Sequence, residues 1–203
     1  MLRWLAAASI VAALAIAMVA GTRFYLPADE AASSDQQGAV PIGGPFTLTD
    51  QTGRRVTEAD YRGRLMLVYF GYTFCPDVCP LGLQTIAAAL DELPADVQDQ
   101  VVPLFITVDP ERDTVPVMRD YVAAFHPRLV GLTGSEADVA ATLRAYRVYA
   151  SRSAAPAGDD GYLVDHSTFT YLMDRQGRYL AHFGHDTTPD AMAKRIAELV
   201  AAG

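Results

Sequence analysis

The sequence predicts an α/β domain of three layers that starts with a strand hairpin and is preceded by a single transmembrane helix. Three observations lead there. One apolar run without charge stands near the N-terminus. Two continuous apolar segments, 64–72 and 101–109, read as strands buried on both faces. Between and after them, apolar residues recur at helical spacing.

The N-terminal run, "WLAAASIVAALAIAMVAG", lies between Arg3 and Arg23. At 1.5 Å per residue it extends roughly 27 Å, close to the hydrocarbon thickness of a bilayer. The apolar part of a secretory signal is shorter, about 7–15 residues. The reading is therefore an anchor over 4–22. Ala15-Ile16-Ala17 also offers a small-residue cleavage site, so cleavage stays open. A short positive N-terminus ahead of a soluble domain places that domain on the exported side. In a bacterium this means a single-pass protein of the inner membrane facing the oxidising periplasm. Residues 23–44 are rich in Ala, Ser, Asp, Gln, Gly and Pro, and read as a flexible tether with a reach of roughly 20–25 Å.

The domain occupies 45–203. "PFTLTDQTGRRVT" alternates around Gly53, a hairpin signal. After strand 64–72, Leu83, Ile86, Leu90 and Leu93 repeat at helical spacing until Pro94 ends the helix. Strand 101–109 precedes a helix over 114–125, with Thr114 at its N-cap and Pro116 in its first turn. A short strand over 129–134 leads to Ser135, which caps a helix running to about Tyr146. Then come a short strand over 148–151, a loop over 153–161, and a hairpin made of 167–174 and 178–184. A closing helix covers 188–202. Parallel βα units that finish in β-β-α have a thioredoxin-like outline.

Of 203 residues, 51% are hydrophobic and the net charge is −8, which fits one globular domain. The basic residues are scattered rather than clustered, which speaks against nucleic-acid binding.

The two cysteines, Cys75 and Cys79, stand in "YFGYTFCPDVCPLGLQTI". Cys75 follows the first buried strand. Cys79 falls in the first turn of the helix, with Asp77 as its N-cap. Sites of open α/β sheets gather at the carboxyl ends of strands. A helix N-terminus favours thiolate. A disulfide here closes a very short loop and adds little stability. The pair is thus reactive, either in redox exchange or in metal binding. Two thiolates with one imidazole suit Cu(I), whereas zinc normally takes four ligands or three and a water. Four histidines are available: His126, His166, His182 and His185. His126 reads as a helix C-cap and His182 as a strand residue. His185 lies in a loop, and His166 follows the long loop just ahead of a strand. In a thioredoxin-like arrangement the His166 loop abuts the dithiol, with His185 an open second choice, and spacing alone leaves a solvated loop histidine open.

Taken together, "GYTFCPDVCP", "VDPERDT" and "YLVDHSTFTYLMDRQG" resemble the Sco/SenC family of copper chaperones, from about Pro45 to the C-terminus. The resemblance implies a thioredoxin-like fold and copper held by Cys75, Cys79 and His166. It implies delivery of copper to the copper A-bearing subunit of cytochrome c oxidase, with an upstream copper donor or thiol reductant as a further partner. Some bacterial members are proposed to act as thiol-disulfide reductases. The alternative is therefore a tethered oxidoreductase in which Cys75 and Cys79 form a redox-active disulfide. "VDHSTF" has no proline where thioredoxins place one, which shifts weight toward metal. In "VDPERDT", Asp109 and Pro110 read as a strand end, and Asp113-Thr114 as a helix cap. Asp165 is a candidate to orient His166.

Overall fold

The computed structural model describes residues 41–154 and 161–202. The expected anchor and the tether up to residue 40 lie outside the described residues, as does most of the 153–161 loop. Among the described residues no helix is long and apolar enough to cross a membrane.

Nine strands are described: β1 (Thr47–Asp50), β2 (Arg55–Thr57), β3 (Leu65–Gly71), β4 (Val101–Thr107), β5 (Val130–Thr133), β6 (Ala150–Ala154), β7 (Tyr162–His166), β8 (Thr170–Met173) and β9 (Tyr179–Phe183). The helices are α1 (Val78–Glu92), α2 (Ala95–Gln98), α3 (Val115–Ala123), α4 (Glu136–Tyr146) and α5 (Pro189–Ala202). Seven strands form one mixed sheet in the order β2-β1-β5-β4-β3-β8-β9. β3, β4 and β5 run parallel, while β8 pairs antiparallel with β3 and β1 with β5. This is the α/β thioredoxin-like arrangement, with the strand hairpin at its start.

Every residue of β3 and β4 is buried, as central parallel strands covered on both faces require. Successive side chains of β3 leave on opposite faces. Tyr69 turns toward α1, where a Cβ at Gly82 would come within 2.8 Å of its ring. Phe70 turns to the other face, with its ring 5.3 Å from Tyr146 of α4 and 6.1 Å from Tyr171. On α1 the buried residues Cys79, Leu83, Ile86 and Leu90 make one stripe. Ser135 caps α4 as the sequence predicts, its Oγ accepting from the Asp138 N–H at 3.1 Å.

The structure departs from the sequence reading in one place that matters. Residues 162–166 form β7, which pairs only with β6 as a separate two-stranded ribbon. β6 covers Ala150–Ala154 rather than 148–151, and β8 begins only at Thr170. The ribbon strands "ASRSA" and "YLVDH" hold no apolar run longer than Tyr162–Val164, too short for a period to mark them. His166 therefore ends a strand instead of lying in a loop.

Candidate metal centre

β3 delivers the chain to the site. After Gly71 the backbone turns through Tyr72, Thr73 and Phe74, and the Cys75 N–H donates to the Tyr72 carbonyl at 3.3 Å. α1 then opens at Val78, so Cys79 lies in its first turn. Asp77 holds the N-cap position without a side-chain bond, a correction to its expected capping role. Cys75 is partly buried and Cys79 fully so, and both are free thiols. Gly71 makes the room. A Cβ there would lie 2.9 Å from the Cys79 Sγ and 2.9 Å from the Phe105 ring.

The histidine arrives from the ribbon. His166 Nε2 lies 3.2 Å from the Cys79 Sγ. Its Nδ1 is 2.9 Å from the Ser167 carbonyl, which can only accept, so Nδ1 carries the proton. The Nε2 lone pair is left facing the sulfurs. A ligating histidine typically has this tautomer and this backbone anchor. Asp165, expected to orient His166, is exposed, and the Ser167 carbonyl takes that role instead. The Tyr72 ring meets His166 edge-on with centroids 5.9 Å apart. One potential ligand atom each from Cys75, Cys79 and His166 lie within 4.8 Å of one another, the one such group among the described residues.

The two sulfurs differ in charge. The Cys79 thiol donates to Cys75 and, against some burial, pushes its pKa down to about 4. The backbone N–H groups of Asp77 and Cys79 add to this. The same bond and nearly complete burial push the Cys79 thiol far up. The pair thus holds one proton between a Cys75 thiolate and a Cys79 thiol. A cation entering between them meets a ready anion and displaces one proton.

The remaining histidines stay away from this group. His126 is buried, its Nδ1 accepting from the Arg128 N–H at 3.1 Å, with Asp91 3.4 Å from Nε2. His182 pairs with the Tyr179 hydroxyl at 2.5 Å on β9. His185 lines a groove beside Val78 and Met192.

Asp113 proves more than a helix cap. Thr114 holds the N-cap position of α3 but makes no side-chain cap bond. The Asp113 carboxylate instead accepts from the Thr73 N–H at 3.1 Å, the Thr73 hydroxyl at 2.6 Å and the Thr107 hydroxyl at 2.6 Å. It thereby ties the cysteine loop to the end of β4. Burial pushes its carboxyl up, against the pull of those donors. Sequence reasoning expects Tyr72 and Phe74 to pack around the site or the core, and Tyr72 does meet His166, but it missed Ser167 and Gly71 as parts of the site. Only the "VDPERDT" run, with two acids beside the strand end, carried a signal of this kind.

Comparison with known proteins gives a consistent picture. The SCO1/SenC family model matches residues 34–201. Protein sco1 of Schizosaccharomyces pombe is 44% identical over 161 residues, which are 78% of this chain and 61% of that protein. The chain thus spans less than two thirds of that relative's length. The crystal structure of Arabidopsis thaliana ScoI with copper bound superposes with a TM-score of 0.72 at 40% identity, covering 80% of this chain and 99% of that one. BsSco, described as a member of the Sco family of cytochrome c oxidase assembly proteins with a disulfide switch, gives 0.60 at 25% identity, covering 82% and 98%.

Proposed function

The chain belongs to the SCO1/SenC family, and from that premise we propose that it is a membrane-anchored copper chaperone for cytochrome c oxidase assembly. Copper is its cargo, held by Cys75, Cys79 and His166. The observation that carries this reading is the convergence of two free sulfurs and an imidazole nitrogen within 4.8 Å. Two thiolates and one imidazole make a soft three-ligand set suited to Cu(I), and the lack of a fourth protein ligand in the group disfavours structural zinc.

The exposure of Cys75 supports delivery by ligand exchange. A thiolate of the recipient approaches from the Cys75 side, while buried Cys79, with the half-buried His166 beside it, holds the ion until the exchange is complete. The recipient is the copper A-bearing subunit of the oxidase. Oxidation of the pair by an external disulfide passes two electrons and the one proton the pair holds to that disulfide and forms an S–S bond between Cys75 and Cys79, which leaves no thiolate for copper. A thiol reductant then restores the loading state, and an upstream donor supplies the ion. The anchor over 4–22 and the tether over 23–44 hold the 45–203 domain on the periplasmic side of a bacterial inner membrane.

A second reading, a tethered thiol-disulfide oxidoreductase, draws on the accessible low-pKa thiol of Cys75. One experiment separates the two. The full chain in detergent is reduced, Cu(I) is added without oxygen, and tightly bound copper is counted in the wild type and in His166→Ala. The chaperone reading expects one copper per chain, held more weakly in the variant. No tight copper, together with disulfide exchange that survives His166→Ala, would move the protein to the oxidoreductase class.

A further inference from the structure

The ribbon that carries His166 shares no strand pairing with the main sheet. Along β7, Tyr162, Val164 and His166 fall on one face, two residues apart. Each meets the neighbourhood of the cysteine loop at a different point. His166 reaches the Cys79 sulfur. The Val164 N–H donates to the Tyr72 hydroxyl at 3.2 Å. Tyr162 meets Arg112.

Arg112 joins three separate segments. Its Nε donates to the buried Asp109 carboxylate, and its Nη1 donates to the Tyr162 carbonyl at 2.9 Å. Its guanidinium lies 3.8 Å from the centroid of the Tyr162 ring and 4.8 Å from that of Phe74, next to Cys75 in the loop. The Tyr162 hydroxyl donates to the other Asp109 oxygen at 2.8 Å, closing the circuit. Nη2 is buried with no acceptor, and aromatic faces are what this guanidinium meets instead. Arginine alone combines a rigid hydrogen-bonding fork with a flat cation that stacks on aromatic rings. Arg152, paired with Glu111 at 2.5 Å, lies over the same Tyr162 ring at 4.5 Å.

We propose that Arg112 is a positioning residue for the histidine ligand: clasped between Asp109, Tyr162 and Phe74, it sets the spacing between the β6–β7 ribbon and the cysteine loop, and so holds His166 Nε2 against the sulfurs. This rests on the copper reading of the site and adds to it a residue that never touches the ion. Removing the clasp leaves the dithiol in place and frees the ribbon to drift. The third ligand is then lost while the first two stay.

The test is a double-mutant cycle on the full chain in detergent. Cu(I) affinity is measured by competition with a chelator, and the sulfur and nitrogen ligands are counted by X-ray absorption at the copper edge. Arg112→Ala is expected to weaken copper about 10-fold, the scale on which partners of metal ligands act, and to reduce the nitrogen signal. Arg112→Lys, which keeps the charge but not the fork, falls in between. Added to His166→Ala, Arg112→Ala changes nothing further, because both remove the same interaction. Independent, additive losses overturn the proposal. Absence of copper from the wild type would sink the site reading instead, which is a different result. Amide exchange in the metal-free chain decides the clasp either way: Val164 N–H protection falls about 10-fold in Arg112→Ala while the β3 amides keep theirs. Unchanged Val164 protection, or equal loss across β3, also overturns it.

Discussion

The sulfur half and the imidazole half of the site are built differently. Cys75 and Cys79 lie where a wholly buried central strand passes into a helix, and Cys79 itself belongs to the core. His166 comes from 87 residues further along the chain, on a ribbon whose strands are mostly half-buried or exposed. The sulfur half therefore inherits the stability of the whole domain. The imidazole half depends on a few side-chain contacts: Arg112, Tyr72 and the Ser167 carbonyl. On the proposed copper reading, this division would suit a carrier: the sulfurs sit on the rigid part of the domain, and the third ligand on a part that can be loosened without unfolding.

The largest effect that would break this contrast is in stability. Phe70→Ala truncates β3 against Tyr146 and Tyr171 and is expected to cost about 3–5 kcal/mol. That is a large share of the roughly 5–15 kcal/mol that holds a domain together. Tyr162→Ala, on the ribbon, is expected to cost far less. Urea unfolding of both variants measures the difference, and equal losses would place the ribbon in the cooperative core.

A middle-sized effect tests the packing behind the sulfurs. Gly71→Ala puts a Cβ within 2.9 Å of the Cys79 sulfur and the Phe105 ring. Overpacking of this kind costs about 1–3 kcal/mol. It should also displace Cys79 and weaken metal binding, whereas Gly63→Ala, which strains its own turn at a φ of +85° but has nothing within 4 Å of its Cβ, leaves the site alone. Retained affinity in Gly71→Ala would show that the sulfur half is more pliant than its burial implies.

The smallest effect is chemical. Because the Cys75 pKa is lowered to about 4, its thiolate persists down to that pH, and alkylation should fall only as pH drops through about 4. At pH 6 this gives about 300-fold more thiolate than an ordinary thiol of pKa about 8.5. Low-pKa thiolates are poorer nucleophiles, by roughly 100-fold here, so the net rate gain is only a few-fold. Mass spectrometry after brief iodoacetamide treatment reads both sulfurs. Cys79, buried and protonated, should stay unmodified. A Cys75 profile with its midpoint near 8 would remove the charge asymmetry between the two sulfurs.

Much of the sulfur half was legible in the sequence. Continuous apolar runs announced β3 and β4, helical spacing announced α1, and the cysteines fell where the strand-to-helix order put them. Ser135 and Pro116 marked helix starts that the structure reproduces. The imidazole half was not legible from spacing. The thioredoxin-like layout put the His166 loop beside the dithiol with His185 as a second choice, and only the family resemblance assigned His166 as the ligand. The ribbon escaped notice because "ASRSA" and "YLVDH" bury too little to show a period. The acids of "VDPERDT" were visible, yet their partners Thr73, Thr107, Arg112 and Tyr162 were not.

Sequence by itself determined what depends on near neighbours: which segments form the central strands, which helix carries Cys79, and that two thiols share one turn. Such features follow from burial periods of two and 3.6 residues, which any short window contains. The tertiary structure alone decided which imidazole meets those thiols, which of its nitrogens is free, which acid ties down the loop and which arginine clasps the ribbon. These are contacts between segments tens of residues apart, set by how a polar ribbon packs on the end of a sheet, and no local pattern encodes them.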